Sequence, residues 1–156
     1  MKSYDMRRQL KEGEAAETYL DSIFDNEFAI RPATRQQQRV GIDRIFTRRR
    51  DGREWAIEYK ADKTAARTGN AFVETVSVDT AGKAGWALTC TADFIMYYVV
   101  GVGPLYILRP KDIQAKLPKW RSQYPERRIP NGTYNTVGIL VPLAEFERLA
   151  VQVVSI

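Results

Sequence analysis

The segment from residue 42 to residue 61 constrains the fold of this chain more than any other. Two runs rich in β-branched and aromatic residues, 42–49 and 53–61, flank the dipeptide Asp51-Gly52. Asp-Gly between two such runs is a strong short-range signal for a β-hairpin. The sequence therefore predicts two antiparallel strands at the centre of the fold.

The register of this hairpin follows if Asp51 and Gly52 are the two central turn residues. Asp43 then pairs with Lys60, and Ile45 pairs with Glu58, on the opposite strand. Residues two apart share a face, so Asp43, Glu58 and Lys60 lie on one side of the sheet, with Asp43 diagonal to Glu58. The other side carries an apolar set: Phe46, Trp55, Ile57 and Tyr59. A slip of one residue would place the charges in that core, so the pattern favours this register.

Two carboxylates beside an ammonium group suggest a site for a hard divalent cation. Magnesium is usually bound by one or two carboxylates, with water and substrate phosphate completing its shell. Lys60 is placed to neutralise a phosphate, or to orient and deprotonate a water. Because Asp43 and Glu58 are like charges, one of them should resist ionisation. The alternative is a solvated hairpin face on which the three residues form only surface ion pairs.

Composition removes several other kinds of chemistry. The chain has no histidine, and Cys90 is its only cysteine. This excludes Ser-His-Asp and Cys-His nucleophilic sites, and zinc sites that need imidazole or a thiolate cluster. The formal net charge of +5 favours an anionic partner, although a basic surface that serves solubility explains it equally well. The length of 156 residues predicts a single domain, residues 1–156.

Hydrophobic periodicity organises the rest of the chain. Apolar residues recur at steps of three and four from Met6 to Phe24, which predicts an amphipathic helix. The other predicted elements are strands at 28–30, 94–100, 105–108, 137–141 and 151–154, helices at 111–117 and 143–150, and loops at 63–70 and 118–132. The segment 72–78 fits a strand or the start of a helix. The fold class is α+β, with a mixed sheet flanked by helices.

The motifs of this region resemble a nuclease family. Gly41-Ile42-Asp43, followed fifteen residues later by Glu58-Tyr59-Lys60, resembles the signature of the PD-(D/E)xK superfamily. In addition, Gly13 followed by Glu17 is similar to the N-terminal helix of archaeal Holliday-junction resolvases. The resemblance implies a restriction-endonuclease-like α-β-β-β-α-β core, of α/β/α type. The chain departs from the family pattern at two places. Ile42 stands where a proline is usual, and a loop, rather than an immediate helix, is predicted after Lys60.

The resemblance also implies an active site. Asp43 and Glu58 would be magnesium ligands, and the carbonyl of Tyr59 a further one, with Lys60 positioning or activating the attacking water. Glu17 would hold the metal or that water from the helix. Manganese is expected to substitute for magnesium.

Three points about this site stay open. Glu17 is preferred as the helix acid because it lies inside the apolar stripe of the helix. Glu14, at the margin of that stripe, is the alternative. Glu74 either contributes to the site or is an exposed strand residue. The implied activity is magnesium-dependent endonucleolytic hydrolysis of DNA, with structure-selective cleavage, repair or recombination, and phage DNA processing as open roles. The alternative is a catalytically inactive nucleic-acid-binding or assembly module on the same fold.

Basic residues flank the predicted hairpin and the end of its second strand. They are Arg48, Arg49, Arg50, Lys63 and Arg67. These side chains either follow a DNA backbone or belong to solvated loops, since phosphate contacts come mainly from Arg and Lys. The apolar run Tyr97–Val100 suggests a homodimer. The N-terminal region lacks the apolar core of a signal peptide, and no apolar run is long enough to span a bilayer. We therefore expect a cytoplasmic protein with no membrane partner.

Overall fold

Helix α1 opens the chain where the apolar spacing predicts it. In the computed structural model, which describes residues 6–156, this helix spans Met6–Phe24. The first residues of the N-terminal region considered above lie outside the described residues. Leu20, on the inner face of α1, is fully buried and packs in one cluster with Phe46 and Ile57 of the central hairpin.

The described residues form ten strands and five further helices. The strands are β1 (Phe28–Pro32), β2 (Arg44–Arg48), β3 (Glu54–Asp62), β4 (Asn70–Val78), β5 (Lys83–Ala84), β6 (Phe94–Val99), β7 (Leu105–Leu108), β8 (Glu126–Asn131), β9 (Tyr134–Pro142) and β10 (Gln152–Val154). The helices are α2 (Arg35–Gln38), α3 (Ala65–Thr68), α4 (Trp86–Thr89), α5 (Pro110–Gln123) and α6 (Leu143–Leu149). A single 3-10 turn, Asp79–Ala81, follows β4.

The larger sheet has six strands in the order β1-β2-β3-β6-β7-β10. Strands β3 and β6 pair in parallel, and every other neighbouring pair is antiparallel. This is the mixed sheet flanked by helices that the sequence predicts. The fold class α+β is therefore confirmed.

A second sheet of four antiparallel strands, in the order β5-β4-β9-β8, was not predicted. It settles the ambiguous segment 72–78, which forms β4 as a strand. In β4 the buried and partly exposed residues alternate, which is the pattern of a sheet with one covered face. Its buried residues Ala71 and Val73 belong to the core between the two sheets.

The central hairpin forms, but its predicted register is wrong by two residues. Arg44 pairs with Ile57 and Thr47 with Glu54, so the connection is a four-residue loop closed by Arg48 and Arg53. The predicted two-residue turn requires a positive φ at both central residues, and among the described residues only glycines adopt one. Because the shift is even, every side chain keeps its predicted face.

The apolar face of the hairpin is confirmed. Phe46, Ile57 and Tyr59 are buried in one cluster, against which Trp55 packs.

Two predicted loops contain regular structure. The prediction of a loop at 118–132 is wrong, because α5 continues through Pro118 to Gln123 and the strand β8 follows. Pro118 lies on the exposed side of the helix, while Trp120 just beyond it is fully buried and anchors the last turn. The loop 63–70 contains the short helix α3, which ends at Gly69 with a φ of 74°.

The apolar run that suggested a homodimer is used inside the chain. Tyr97 and Val99 are buried in the core between the sheets, and the ring of Tyr98 contacts Tyr19 of α1. This run therefore gives no support for a dimer. Within residues 6–156, none of the helices has the length and apolar character needed to cross a membrane.

Candidate active site

The carboxyls of Asp43, just before β2, and of Glu58 in β3 lie side by side at the central hairpin. Asp43 lies just before Arg44, the first residue of β2 that pairs with β3, and its carboxyl is within hydrogen-bonding reach of the Glu58 carboxyl. The Asp43 N–H donates to the carbonyl of Ile57 at 2.8 Å, and the Tyr59 N–H donates to Asp43 Oδ2 at 2.8 Å. The backbone of β3 therefore fixes the Asp43 carboxylate beside Glu58.

Glu58 is a buried carboxylate with an ion-pair partner. Its side chain is 7% exposed, and its Oε1 lies 2.8 Å from Lys60 Nζ. Burial raises the pKa of Glu58 to about 6, and the charge of Lys60 opposes this rise. The charge of Asp43 raises the pKa further, as does a hydrogen bond to Asp43 that favours the protonated carboxyl. Glu58 is thus the carboxyl that resists ionisation, as the sequence predicts for one of the pair.

Lys60 is charged at neutral pH. Burial lowers its pKa, but the charge of Glu58 and the hydrogen bond to it outweigh burial and hold the pKa above its usual value. The Lys60 Nζ also lies 5.8 Å from the centre of the Trp86 ring, a cation–π arrangement. Glu58 and Trp86 therefore hold the ammonium group in place.

Glu74 approaches this group from the second sheet. It is half-buried, so its interpretation as an exposed strand residue is wrong. Burial raises the pKa of Glu74, while the charge of Lys60 and a hydrogen bond from the Trp86 N–H lower it. Gly85 makes this approach possible, because a Cβ at Gly85 would lie 2.4 Å from the Glu74 carbonyl oxygen.

The loop before β2 is held next to Cys90. Gly41 has a φ of 80°, and a Cβ there would lie 2.8 Å from the Cα of Cys90. The Cys90 thiol donates to the Gly41 carbonyl at 3.2 Å, and the Thr91 N–H donates to the Val40 carbonyl at 2.9 Å. A glycine at position 41 therefore lets the chain pass close to Cys90 and enter β2 at Asp43.

Glu17 lies on the α1 side of the sheet, where its partner is Arg44. Arg44 Nη2 donates to Glu17 at 3.1 Å, its Nε donates to Asp21 at 3.2 Å, and its Nη1 donates to the backbone carbonyl of Asp43 at 3.1 Å. Burial raises the pKa of Glu17, Arg44 lowers it, and the charge of Asp43 raises it. Arg44 thus links the helix carboxylate to the backbone of Asp43. Glu14, the alternative helix acid, is exposed.

This network was not predicted, although the sequence contains one indication of it. Arg44 occupies an alternate position of β2 that shares a face with Phe46, and a charge at a core-facing position requires a partner. Asp21 lies one helical turn after Glu17, on the same face of α1. It accepts the hydroxyl of Tyr59 at 2.8 Å as well as the Arg44 guanidinium.

Asp43 and Glu58 are the carboxyls of this site that could hold a cation. Among residues 6–156, no three acidic or cysteine side chains are grouped closely enough to hold a metal ion. The neighbouring carboxyls of Asp43 and Glu58 offer two oxygen donors, a number that magnesium commonly uses. The N–H and C=O of one strand residue point to the same side, so the Tyr59 carbonyl faces the side on which Asp43 accepts the Tyr59 N–H.

Three of the five basic residues predicted to bind nucleic acid have partners within the chain. Arg48 pairs with Asp51, Arg49 donates to the Asp25 carbonyl, and Lys63 contacts the Glu12 carboxylate. Arg50 and Arg67 are exposed. Arg48 lies level with Arg53, which is five residues before Glu58, roughly 17 Å at the rise of a strand, and Arg49 and Arg50 lie beyond it in the loop. Lys63, by contrast, follows shortly after Lys60.

Comparison with protein-family models, with curated proteins and with solved structures gave no match to this chain.

Proposed function

We propose that this protein is a magnesium-dependent DNA endonuclease that hydrolyses phosphodiester bonds. One observation carries the proposal: the carboxyls of Asp43 and Glu58 lie within hydrogen-bonding reach of each other, and Lys60 Nζ lies 2.8 Å from Glu58 Oε1. The burial of Glu58 speaks against the alternative of a solvated hairpin face, because a buried carboxylate carries a desolvation cost that surface pairs avoid.

The metal would be held by Asp43 and Glu58, with the Tyr59 carbonyl as a further ligand. Bound magnesium supplies a Lewis acid that polarises a phosphoryl oxygen and lowers the pKa of water, chemistry that this histidine-free chain lacks among its own side chains. Manganese offers the same preference for oxygen ligands.

Lys60 acts as a fixed cation. Because its pKa lies above the usual value, it carries a proton at neutral pH and donates hydrogen bonds instead of abstracting a proton. Its role in the reaction is to donate to a phosphate oxygen and to stabilise the charge that develops there. Of the two roles that the sequence left open, the charged lysine supports phosphate neutralisation.

Glu17 serves as a positioning residue in this proposal. It acts through Arg44, whose guanidinium binds both Glu17 and the backbone carbonyl of Asp43. Glu74 shares the electrostatic environment of Lys60 from the opposite sheet. Both carboxylates therefore orient the site through its cationic groups.

The order of elements adds support for a restriction-endonuclease-like core. A helix precedes three antiparallel strands, β1 to β3, and the next strand of the same sheet, β6, runs parallel to β3. This agrees with the α-β-β-β part of the arrangement that the family resemblance implies, whereas β4 and β5 of the second sheet stand between α3 and α4 before β6.

The test is DNA cleavage by the purified protein. Supercoiled plasmid, linear duplex, single-stranded and branched DNA are incubated with magnesium, with manganese and with a chelator. We expect cleavage of at least one substrate with either metal and none with the chelator. Binding without cleavage of any substrate would contradict a nuclease and favour the binding module.

A further inference from the structure

A groove opens at the hairpin-loop end of the larger sheet, between the start of β3 and the start of α5. Its volume is about 510 Å³. Three basic side chains line it: Arg53, Arg109 and Lys111. One wall is the segment 90–94, which connects α4 to β6. This groove is distinct from the positions of Lys63 and Arg67 near the other end of β3.

The groove carries a net positive charge. The three basic residues are exposed, and within residues 6–156 none of them forms an ion pair. The guanidinium of Arg53 lies 4.9 Å from the centre of the Trp55 ring, which holds it at the rim. Asp93 is the acid among the lining residues, and its carboxylate accepts the Ala56 N–H at 2.8 Å. Three cations and one anion leave a charge of +2.

The segment that forms the wall leads from the groove to the candidate active site. At one end, Cys90 and Thr91 bind the carbonyls of Gly41 and Val40, just before Asp43. At the other end, the Asp93 N–H donates to the Ala56 carbonyl of β3 at 2.8 Å. The groove residues Trp55 and Arg53 lie three and five residues before Glu58 in sequence, roughly 10–17 Å at the rise of a strand. That length corresponds to about three to five nucleotides at 3.4 Å per nucleotide.

We propose that this groove binds backbone phosphates of the DNA strand that enters the active site. The inference rests on the proposed function, since it names the surface on which that substrate lies. Arg and Lys side chains bind phosphate through charge and counterion release, without reading the base sequence. The groove therefore contributes affinity and orientation, and it contributes equally for different sequences.

The experiment compares two double variants that each remove two positive charges. Arg109→Gln with Lys111→Gln empties the groove of two cations, whereas Lys119→Gln with Arg127→Gln removes two exposed cations outside it. Binding of a short labelled duplex is measured by fluorescence anisotropy with a chelator present, at several salt concentrations and for two unrelated sequences. Inorganic phosphate is titrated separately as a competitor.

The groove variant should bind about tenfold more weakly at moderate salt, and its slope of log affinity against log salt should fall by about two. The control variant should stay close to wild type, and both sequences should respond alike. Equal losses in the two variants, or complete displacement of the duplex by millimolar inorganic phosphate, would overturn the groove as a strand-binding surface. A wild-type protein that binds no DNA would overturn it as well. Binding that depends on the groove, without cleavage, would keep the groove as a DNA-binding surface and remove the nuclease proposal.

Discussion

At the scale of single residues, the electrostatics of the site centre on Glu58. Burial and the neighbouring Asp43 both disfavour its charge, and Lys60 only partly offsets them. In the metal-free protein this arrangement costs stability at neutral pH, because a carboxyl with a raised pKa must ionise in an unfavourable place. A bound cation would reverse that cost. The unfavourable ionisation of Glu58 therefore connects the stability of the fold to the proposed chemistry.

Replacing Asp43 with asparagine should stabilise the metal-free protein. The amide oxygen can still accept the Tyr59 N–H, while the repulsion of Glu58 disappears. We expect a gain of about 1 kcal/mol, or about 2–4 °C in Tm for a chain of this size. Magnesium should raise the Tm of wild type by mass action and raise that of the variant little. Four thermal melts, both proteins with and without magnesium, give the answer. An equal gain from magnesium in both proteins would place the cation elsewhere.

The pH dependence of stability should reveal Glu58 directly. A carboxyl whose folded pKa is about 6, above its unfolded value near 4.5, stabilises the fold below pH 4.5 and loses that contribution as the pH rises through 6. Glu58→Gln carries no such proton. Between pH 4 and pH 7 the free energy of unfolding of the variant should therefore gain about 2 kcal/mol relative to wild type. Urea unfolding of both proteins at the two pH values measures this. A difference that moves the other way would mean that Lys60 governs the pKa of Glu58.

The sequence could predict Asp43, Glu58 and Lys60 on one face because strand alternation fixes faces without fixing register. The hairpin loop was two residues longer than predicted, yet the parity of each side chain survived. The partners Arg44 and Glu74 could not be predicted in the same way. Their roles depend on which helix and which sheet pack against the hairpin, and no local periodicity carries that information.

At the scale of elements, the short helix α4 covers one side of the site through Trp86. It has only four residues, and it is docked by backbone contacts: the Gly85 N–H donates to the Thr75 carbonyl at 2.9 Å, and Glu74 accepts the Trp86 N–H. Trp86 is then placed against Lys60. The site therefore depends on the close approach of α4 to β4, which a side chain at position 85 would prevent.

Gly85→Ala should destabilise the protein and disturb the site. Its φ of −81° suits alanine, so the cost comes from the methyl group, which would meet the Glu74 carbonyl at 2.4 Å. We expect a loss of about 1–3 kcal/mol, as for other overpacked positions. Gly13→Ala in α1 is the control, because a Cβ there meets nothing within 4 Å and alanine favours a helix by up to about 1 kcal/mol. Thermal melts should show opposite shifts for the two variants. A Gly85→Ala protein as stable as wild type would mean that α4 moves away at no cost.

Element boundaries show what a single sequence conceals. The helix α1 was predicted correctly because its apolar spacing is uninterrupted from Met6 to Phe24. The predicted helix at 111–117 ended before Pro118, since proline removes a helical hydrogen bond, whereas α5 continues to Gln123. Burial of Trp120, whose indole donates to Glu145 at 3.3 Å, compensates for that loss. This stabilisation is tertiary, and local propensity cannot predict it.

At the scale of the whole molecule, the candidate site lies where the two sheets meet. Glu58 and Lys60 come from the larger sheet, and Glu74 comes from the smaller one. The smaller sheet was not predicted because its central pairing is long-range: β4 pairs with β9, and the partners lie 61 to 72 residues apart in sequence. The chain is thus organised so that long-range packing completes a site whose central residues come from one local hairpin.

The assignment of Glu58 to the reaction is tested by the rate of magnesium-dependent DNA cleavage of the Glu58→Gln variant, measured beside that of Glu54→Gln. Both substitutions remove one carboxylate from β3, but Glu58 is buried beside Asp43, whereas Glu54 is exposed. We expect a loss of about 10²–10³-fold or more for Glu58→Gln, the size seen when a charge-stabilising group is removed from an active site. Glu54→Gln should cleave at a near wild-type rate. Equal rates in the two variants would contradict the assignment of Glu58 to the reaction.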